Sequence, residues 1–201
     1  MGGCGSSDKK VNRDTLHKPQ FGDMGSEEKE IKMKMCIAGE VGVGKSLFYH
    51  TYFGTLERFK NVSTPASGDN SVKRLEIPGH GRVMLSIWDT AGQENYKSVT
   101  QIFFRGANGV IVLFDVTRKD SLSKIEEGWL ETFKKNLDMS KAVICLVANK
   151  IDLPDRLVTK EEAEQFAGKH GMMYFEASAL QKIGVTESID AAVAKILQVG
   201  V

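Results

Sequence analysis

Residues 31–58 carry the pattern that most restricts what this chain can become. An apolar-polar alternation from Ile31 turns fully apolar by Ala38, the run Gly39-Glu40-Val41-Gly42-Val43-Gly44-Lys45-Ser46 follows, and a helix-like stretch extends from Lys45 to about Arg58. The middle run fits G-x-x-x-x-G-K-[ST]. Between a strand and a helix, such a loop lets backbone N–H groups converge on a β-phosphate at a helix N-terminus. Lys45 can then reach the β- and γ-oxygens, and the Ser46 hydroxyl can ligate Mg²⁺. The glycines allow the backbone to wrap the phosphates closely. The bland alternative is a glycine-rich turn with no ligand, and the flanking strand and helix argue against it. The candidate nucleotide contacts here are Glu40, Val41, Gly42, Val43, Gly44, Lys45, Ser46 and Leu47.

The rest of the chain alternates strand-like and helix-like segments. Strands are expected at Ile31–Ala38, Ser71–Ile77, Val83–Asp89, Gly109–Asp115, Ala142–Asn149 and Met172–Glu176. Helices are expected at Lys45–Arg58, Asn95–Phe104, Ser121–Leu137, Thr159–His170 and Gly184–Leu197, the fourth opening on a Thr159/Glu162 capping box and closing at Gly171. This order predicts an α/β fold: a doubly wound, mostly parallel six-stranded sheet with about five helices. The turn Pro78-Gly79-His80-Gly81 forces one antiparallel edge pair. Ligands in such sheets bind at the carboxyl ends of the strands.

Composition narrows the partners. A chain of 201 residues with net charge +1 is one domain plus a tail and offers no bulk positive charge for nucleic acid. No apolar run approaches the roughly 18 residues of a membrane span. Residues 1–30 are rich in Gly, Ser and charge and read as a flexible arm, leaving 31–201 as the folded domain. Cys36 and Cys145 lie in apolar runs and read as small core residues in a reducing compartment.

Three further motifs fall at strand ends. Asp89-Thr90-Ala91-Gly92 follows a strand, where the carboxylate can hold a Mg²⁺ shell through water and the Gly92 N–H can bond a γ-phosphate. Gln93 comes next, placed to orient an attacking water. Asn149-Lys150-Ile151-Asp152 follows another strand. The Asp152 carboxylate can accept from the N1–H and N2–H₂ edge of guanine, a donor pair adenine lacks. Asn149 can hold neighbouring loops together, and the Lys150 stem can cover the base. Ser178-Ala179-Leu180 lies where a backbone N–H can bond guanine O6.

These motifs, in this order and spacing, resemble the Ras-superfamily small GTPases over almost all of Ile31–Leu197. Within that superfamily the chain looks most like the Rab branch, on the strength of Ile87–Glu94, Lys97–Thr100, Phe103–Ala107 and Leu113–Thr117. The resemblance implies the P-loop small G-protein fold, GTP/GDP binding with Mg²⁺, and GTP hydrolysis as a switch in vesicle and endosomal trafficking. It makes Thr64, eighteen residues after Ser46, the switch I threonine, ligating Mg²⁺ and bonding the γ-phosphate. Catalysis would then rest on Gln93, Lys45 and Thr64. An exchange factor, an activating protein and effectors are the implied partners of a monomer.

The chain departs from the Rab pattern in places that matter. Pro65-Ala66-Ser67-Gly68-Asp69-Asn70 replaces an apolar interaction strand after Thr64. Glu57 stands where an aromatic usually meets the guanine, with Phe59 two residues on. Val41 occupies a position that is small in relatives, so slow intrinsic hydrolysis is expected. Leu180 replaces the usual Lys. At the end, no Cys follows Cys145, so prenylation of this sequence is not expected. At the start, Met1-Gly2-Gly3-Cys4-Gly5-Ser6 fits myristoylation of Gly2 with palmitoylation of Cys4, resembling plant and protist Rab relatives anchored through the N-terminus. The expected location is the cytosolic face of an endosomal or plasma membrane, with a cytosolic pool. Two other readings compete: a nucleotide-locked scaffold that does not cycle, motivated by Val41, Pro65 and Glu57, and a P-loop kinase, disfavoured by the guanine-type Asn149–Asp152 motif.

Overall fold

A computed structural model describes residues 1–2, 30–57, 70–90 and 102–200. The strands are β1 (Ile31–Gly39), β2 (Asn70–Ile77), β3 (Gly81–Asp89), β4 (Gly109–Asp115), β5 (Val143–Asn149) and β6 (Met173–Ala177). They form one six-stranded sheet in the order β2-β3-β1-β4-β5-β6. Only β2 and β3 pair antiparallel; every other neighbour is parallel. The antiparallel pair is closed by Pro78-Gly79, with the His80 N–H donating to the Ile77 carbonyl at 3.0 Å and Gly79 at φ 80°, as a type II turn requires. The expected sheet and its single edge hairpin are both present.

The helices are α1 (Lys45–Tyr52), α2 (Lys119–Lys124), α3 (Leu130–Asn136), α4 (Lys160–Lys169) and α5 (Val185–Val199). They cover both faces because the central strands are apolar on both sides. Met35, Ile37, Ile111, Leu113, Cys145 and Val147 face α1 and α5 in one core. Their neighbours Cys36, Ala38, Val110, Val112, Leu146 and Ala148 join Leu122, Phe133, Ala163 and Ala167 of α2, α3 and α4 in the other. Cys36 and Cys145 are both buried and free, one in each core. Burial pushes each thiol up to about 12, so both are inert small core residues.

Two helices differ from the sequence reading. The first ends at Tyr52, not near Arg58. Gly54 takes a left-handed φ of 68°, its N–H reaches the Thr51 carbonyl at 3.2 Å, and the Thr55 N–H reaches His50 at 2.9 Å. Those two bonds are a Schellman closure, which satisfies the last carbonyls and stops the helix. The expected Ser121–Leu137 helix is split, with α2 running through a π-helical turn, Ile125–Trp129, into α3. Buried Ile125, Trp129, Phe133 and Leu137 recur every four residues. That spacing overshoots the 3.6 residues of an α turn, and the widened turn absorbs the excess so that the apolar stripe stays on the sheet.

Helix α4 begins as expected, with the Thr159 hydroxyl accepting from the Glu162 N–H at 3.1 Å. Of the segment expected to be helical over Asn95–Phe104, only 102–104 is described, and it is helical.

Candidate functional site

The loop between β1 and α1 lies at the carboxyl edge of the sheet, in the middle of the strand order. Gly44 sits at φ 100° just before α1, and a Cβ there would lie 2.5 Å from Asn149 Nδ2. That position is therefore closed to any side chain, which keeps the loop backbone bare at the helix N-terminus. Lys45 is 4% exposed. Its Nζ donates to the Gly39 and Glu40 carbonyls, both at 2.9 Å, so the ammonium is held across the mouth of the loop. Ser46 follows it in the first turn of α1, half-buried. Val41, at the turn of the loop, is 58% exposed.

Asp89 is the last residue of β3, pairs in register with Ile37 of β1, and is buried. The adjoining Thr90 is fixed by donating its hydroxyl to the Ile37 carbonyl at 2.8 Å. A carboxylate at the end of one strand and a hydroxyl in the first turn after its neighbour supply hard oxygen donors suited to Mg²⁺. Among the described residues no cluster of three or more His, Cys, Asp or Glu side chains forms a protein-only metal cage. Thr64, Gly92, Gln93 and Cys4 lie outside the described residues, as do Phe59 and Pro65. Gly2 is described and exposed.

The predicted base-reading motifs come together although they are far apart in sequence. Asn149 Nδ2 donates to the Val43 carbonyl at 2.8 Å, and its Oδ1 accepts the Ala179 N–H at 3.1 Å. One side chain thus ties the phosphate loop to the loop after β6. Thr51 of α1 adds a second tie by donating to the Ala179 carbonyl at 2.8 Å. The buried Ser178 hydroxyl donates to Asp152 Oδ1 at 2.5 Å and accepts the Gln181 N–H at 3.0 Å. Asp152 is therefore aimed by Ser178, so the two motifs work as a unit. Leu180 is 57% exposed beside them. Arg156 braces the same edge, donating to Glu176 of β6 at 2.6 Å and to the Val158 carbonyl at 2.7 Å.

Two residues with no role in the sequence reading enter the site. Asp115 ends the fully buried β4 and pairs with Lys150 at 2.6 Å. It also accepts the Thr117 N–H and hydroxyl. Burial pushes its carboxyl up, but the bonds from Lys150 and Thr117 outweigh that and hold it below the ordinary 3.8. Lys150 adopts a left-handed backbone φ of 68°, and the Asp115 pair anchors the far end of its side chain. A charged residue closing an apolar strand at the ligand edge was a legible signal for Asp115. Arg118 was not legible: its Nη1 donates to the Val41 carbonyl at 3.0 Å across a large sequence separation.

A profile described as the Ras family matches residues 34–198. The chain is 42% identical over 178 residues to the Ras-related protein Rab-18 of Lymnaea stagnalis, spanning 86% of this chain and 85% of that protein. It is 41% identical over 167 residues to the Ras-related protein Rab-18-B of Danio rerio, spanning 83% and 80%. It is 35% identical over 178 residues to the Ras-related protein RABC1 of Arabidopsis thaliana, spanning 87% and 81%.

Proposed function

This chain belongs to the Ras family, within its Rab branch, and from that premise we propose how its own residues run the guanine-nucleotide switch. It is a GTPase that binds guanine nucleotide, acts in vesicle trafficking as a peripheral membrane protein, and works with exchange factors, activating proteins and effectors. Among the described residues no helix is long and apolar enough to cross a membrane.

The observation that carries the site assignment is the junction at Asn149. It joins the Val43 carbonyl of the phosphate loop to the Ala179 N–H of the base loop, so phosphate and guanine are read by one rigid edge. The backbone from Glu40 to Leu47 wraps the phosphates. Lys45, held by the Gly39 and Glu40 carbonyls, offers its ammonium to the phosphate oxygens from a desolvated position, where its charge acts most strongly. Asp152, oriented by Ser178, accepts the guanine N1–H and N2–H₂ edge, and the Ala179 and Leu180 backbone meets O6. Ser46 and Thr64 would hold Mg²⁺ directly and Asp89 through water, and the ion would supply charge neutralisation for the phosphates. Gln93 orients the attacking water, and the Gly92 N–H senses the γ-phosphate.

Two finer features complete the reading. Hydrolysis is slow without an activating protein, because branched Val41 crowds the space that Gln93 and an incoming arginine need. The 1–30 arm anchors the 31–201 domain through myristoyl-Gly2 and palmitoyl-Cys4, since one acyl chain alone binds only marginally. Lys9, Lys10, Arg13 and Lys18 add weak attraction to an anionic endosomal or plasma-membrane surface, partly offset by Asp8 and Asp14.

The deciding experiment identifies the nucleotide that co-purifies and follows single-turnover GTP hydrolysis with Mg²⁺. Bound guanine nucleotide, slowly hydrolysed and no longer hydrolysed in Gln93→Leu, supports the cycle. Nucleotide that neither turns over nor exchanges under chelation favours a locked scaffold. Membrane fractionation of Gly2→Ala and Cys4→Ala tests the anchor, and retention of both variants on membranes would sink it.

A further inference from the structure

The outer turn of the phosphate loop is gripped from the start of α2. Arg118 Nη1 donates to the Val41 carbonyl at 3.0 Å. Its other nitrogens engage Asp120, Nη2 to Oδ2 at 3.1 Å and Nε to Oδ1 at 3.4 Å, a two-point contact that fixes the plane of the guanidinium. One turn further on, Lys124 Nζ meets the Glu40 carboxylate at 3.3 Å and Asp120 at 4.0 Å. Two consecutive loop residues, Glu40 and Val41, are thus held by two cations that share one carboxylate.

The direction of the Arg118 bond has a consequence for the next peptide group. The Val41 carbonyl and the Gly42 N–H belong to one planar trans peptide, so they point in opposite directions. With the carbonyl drawn out to Arg118, the Gly42 N–H is turned away from the guanidinium, which on the reading above is toward the phosphates. Gly42, at φ 80°, has no side chain to resist a flip of that peptide. A flip would replace a donor facing the phosphates with a carbonyl oxygen facing them. We propose that Arg118, aimed by Asp120 and seconded by the Lys124–Glu40 pair, is a positioning residue that locks the Val41–Gly42 peptide in its donor-inward orientation and so lengthens the residence of bound nucleotide.

The proposal rests on the guanine-nucleotide reading above, and its test separates the two. Release of fluorescent GDP from the Mg²⁺-loaded full chain is timed for the parent, Arg118→Ala, Arg118→Lys and Asp120→Ala. Arg118→Ala releases nucleotide about three- to tenfold faster, a modest factor because the contact is partly exposed. Arg118→Lys, which keeps a donor for the Val41 carbonyl, recovers most of the loss, and Asp120→Ala lies between. The Gly42 amide resonance of the GDP-bound protein moves in Arg118→Ala and returns toward the parent position in Arg118→Lys. Reversing both charges, Glu40→Lys with Lys124→Glu, restores release relative to either single reversal. If the parent holds nucleotide but Arg118→Ala releases it at the parent rate with an unmoved Gly42 resonance, the clamp is overturned alone. If the parent binds no guanine nucleotide, the switch reading fails and the clamp falls with it.

Discussion

Val41 and Asp115 show how single side chains set the behaviour of this site in opposite ways. Val41 is 58% exposed at the turn of the loop, so on the reading proposed above its branched side chain is free to crowd whatever approaches the γ-phosphate. Replacing it with Gly or Ser should speed single-turnover hydrolysis about three- to tenfold, roughly 1 kcal/mol of barrier. Unchanged rates in both variants would end the steric account. Asp115 acts through charge. Its folded carboxyl is held below the ordinary 3.8, so its ion pair with Lys150 stabilises the fold above that value. The contribution disappears as the pH falls through the folded value. Asp115→Asn should therefore cost roughly 2 kcal/mol at pH 7, since it leaves Lys150 without its partner. Denaturant melts of parent and variant should converge as the pH drops below about 3.8. A gap that persists unchanged in acid would mean that packing, not charge, is responsible.

At the level of elements, two glycines separate a required conformation from an incidental one. Gly54 closes α1 at φ 68°, where an L side chain is strained even though a Cβ would touch nothing within 4 Å. Gly128 lies in the π-helical turn, where a Cβ also meets nothing within 4 Å and the backbone is ordinary. The same substitution should therefore have opposite signs. Gly54→Ala should lose about 1 kcal/mol through left-handed strain. Gly128→Ala should gain about 0.5–1 kcal/mol by reducing the freedom of the unfolded chain. Thermal melts of the two variants decide it, and equal shifts would contradict the assigned backbone states. The π turn itself follows from a four-residue apolar repeat that a regular helix cannot keep on one face. That repeat was visible in the sequence; its structural outcome became visible only against the sheet on which Trp129 and Phe133 pack.

For the whole molecule, described loops at the carboxyl edge are tied to one another by the side chains of Asn149, Thr51 and Arg118, so bound nucleotide should brace the entire fold. With GDP and Mg²⁺ at about a hundred times the dissociation constant, linkage adds about 2.7 kcal/mol, or a rise of roughly 5–10 °C in Tm for a domain of this size. Removing the ion with EDTA should return most of that rise, and ATP at the same concentration should give none. Equal stabilisation by ATP would contradict guanine selection by Asp152. The fold class, the strand order of motifs and the family were legible along the chain, because hydrophobic periodicity and the spacing of Gly39–Ser46, Asp89–Gly92 and Asn149–Asp152 are local properties of sequence. The early stop of α1 was also written there, in Gly54, but a single glycine in a helical pattern is ambiguous until its φ is known. The partnerships Asp115–Lys150, Ser178–Asp152 and Arg118 with Val41 were decided by tertiary structure alone, as were the partners, Val43 and Ala179, of the loop-holding role that the sequence already suggested for Asn149. Each joins residues carried on different strands or loops, and only the parallel crossovers of the sheet bring those ends to one edge, within hydrogen-bonding reach.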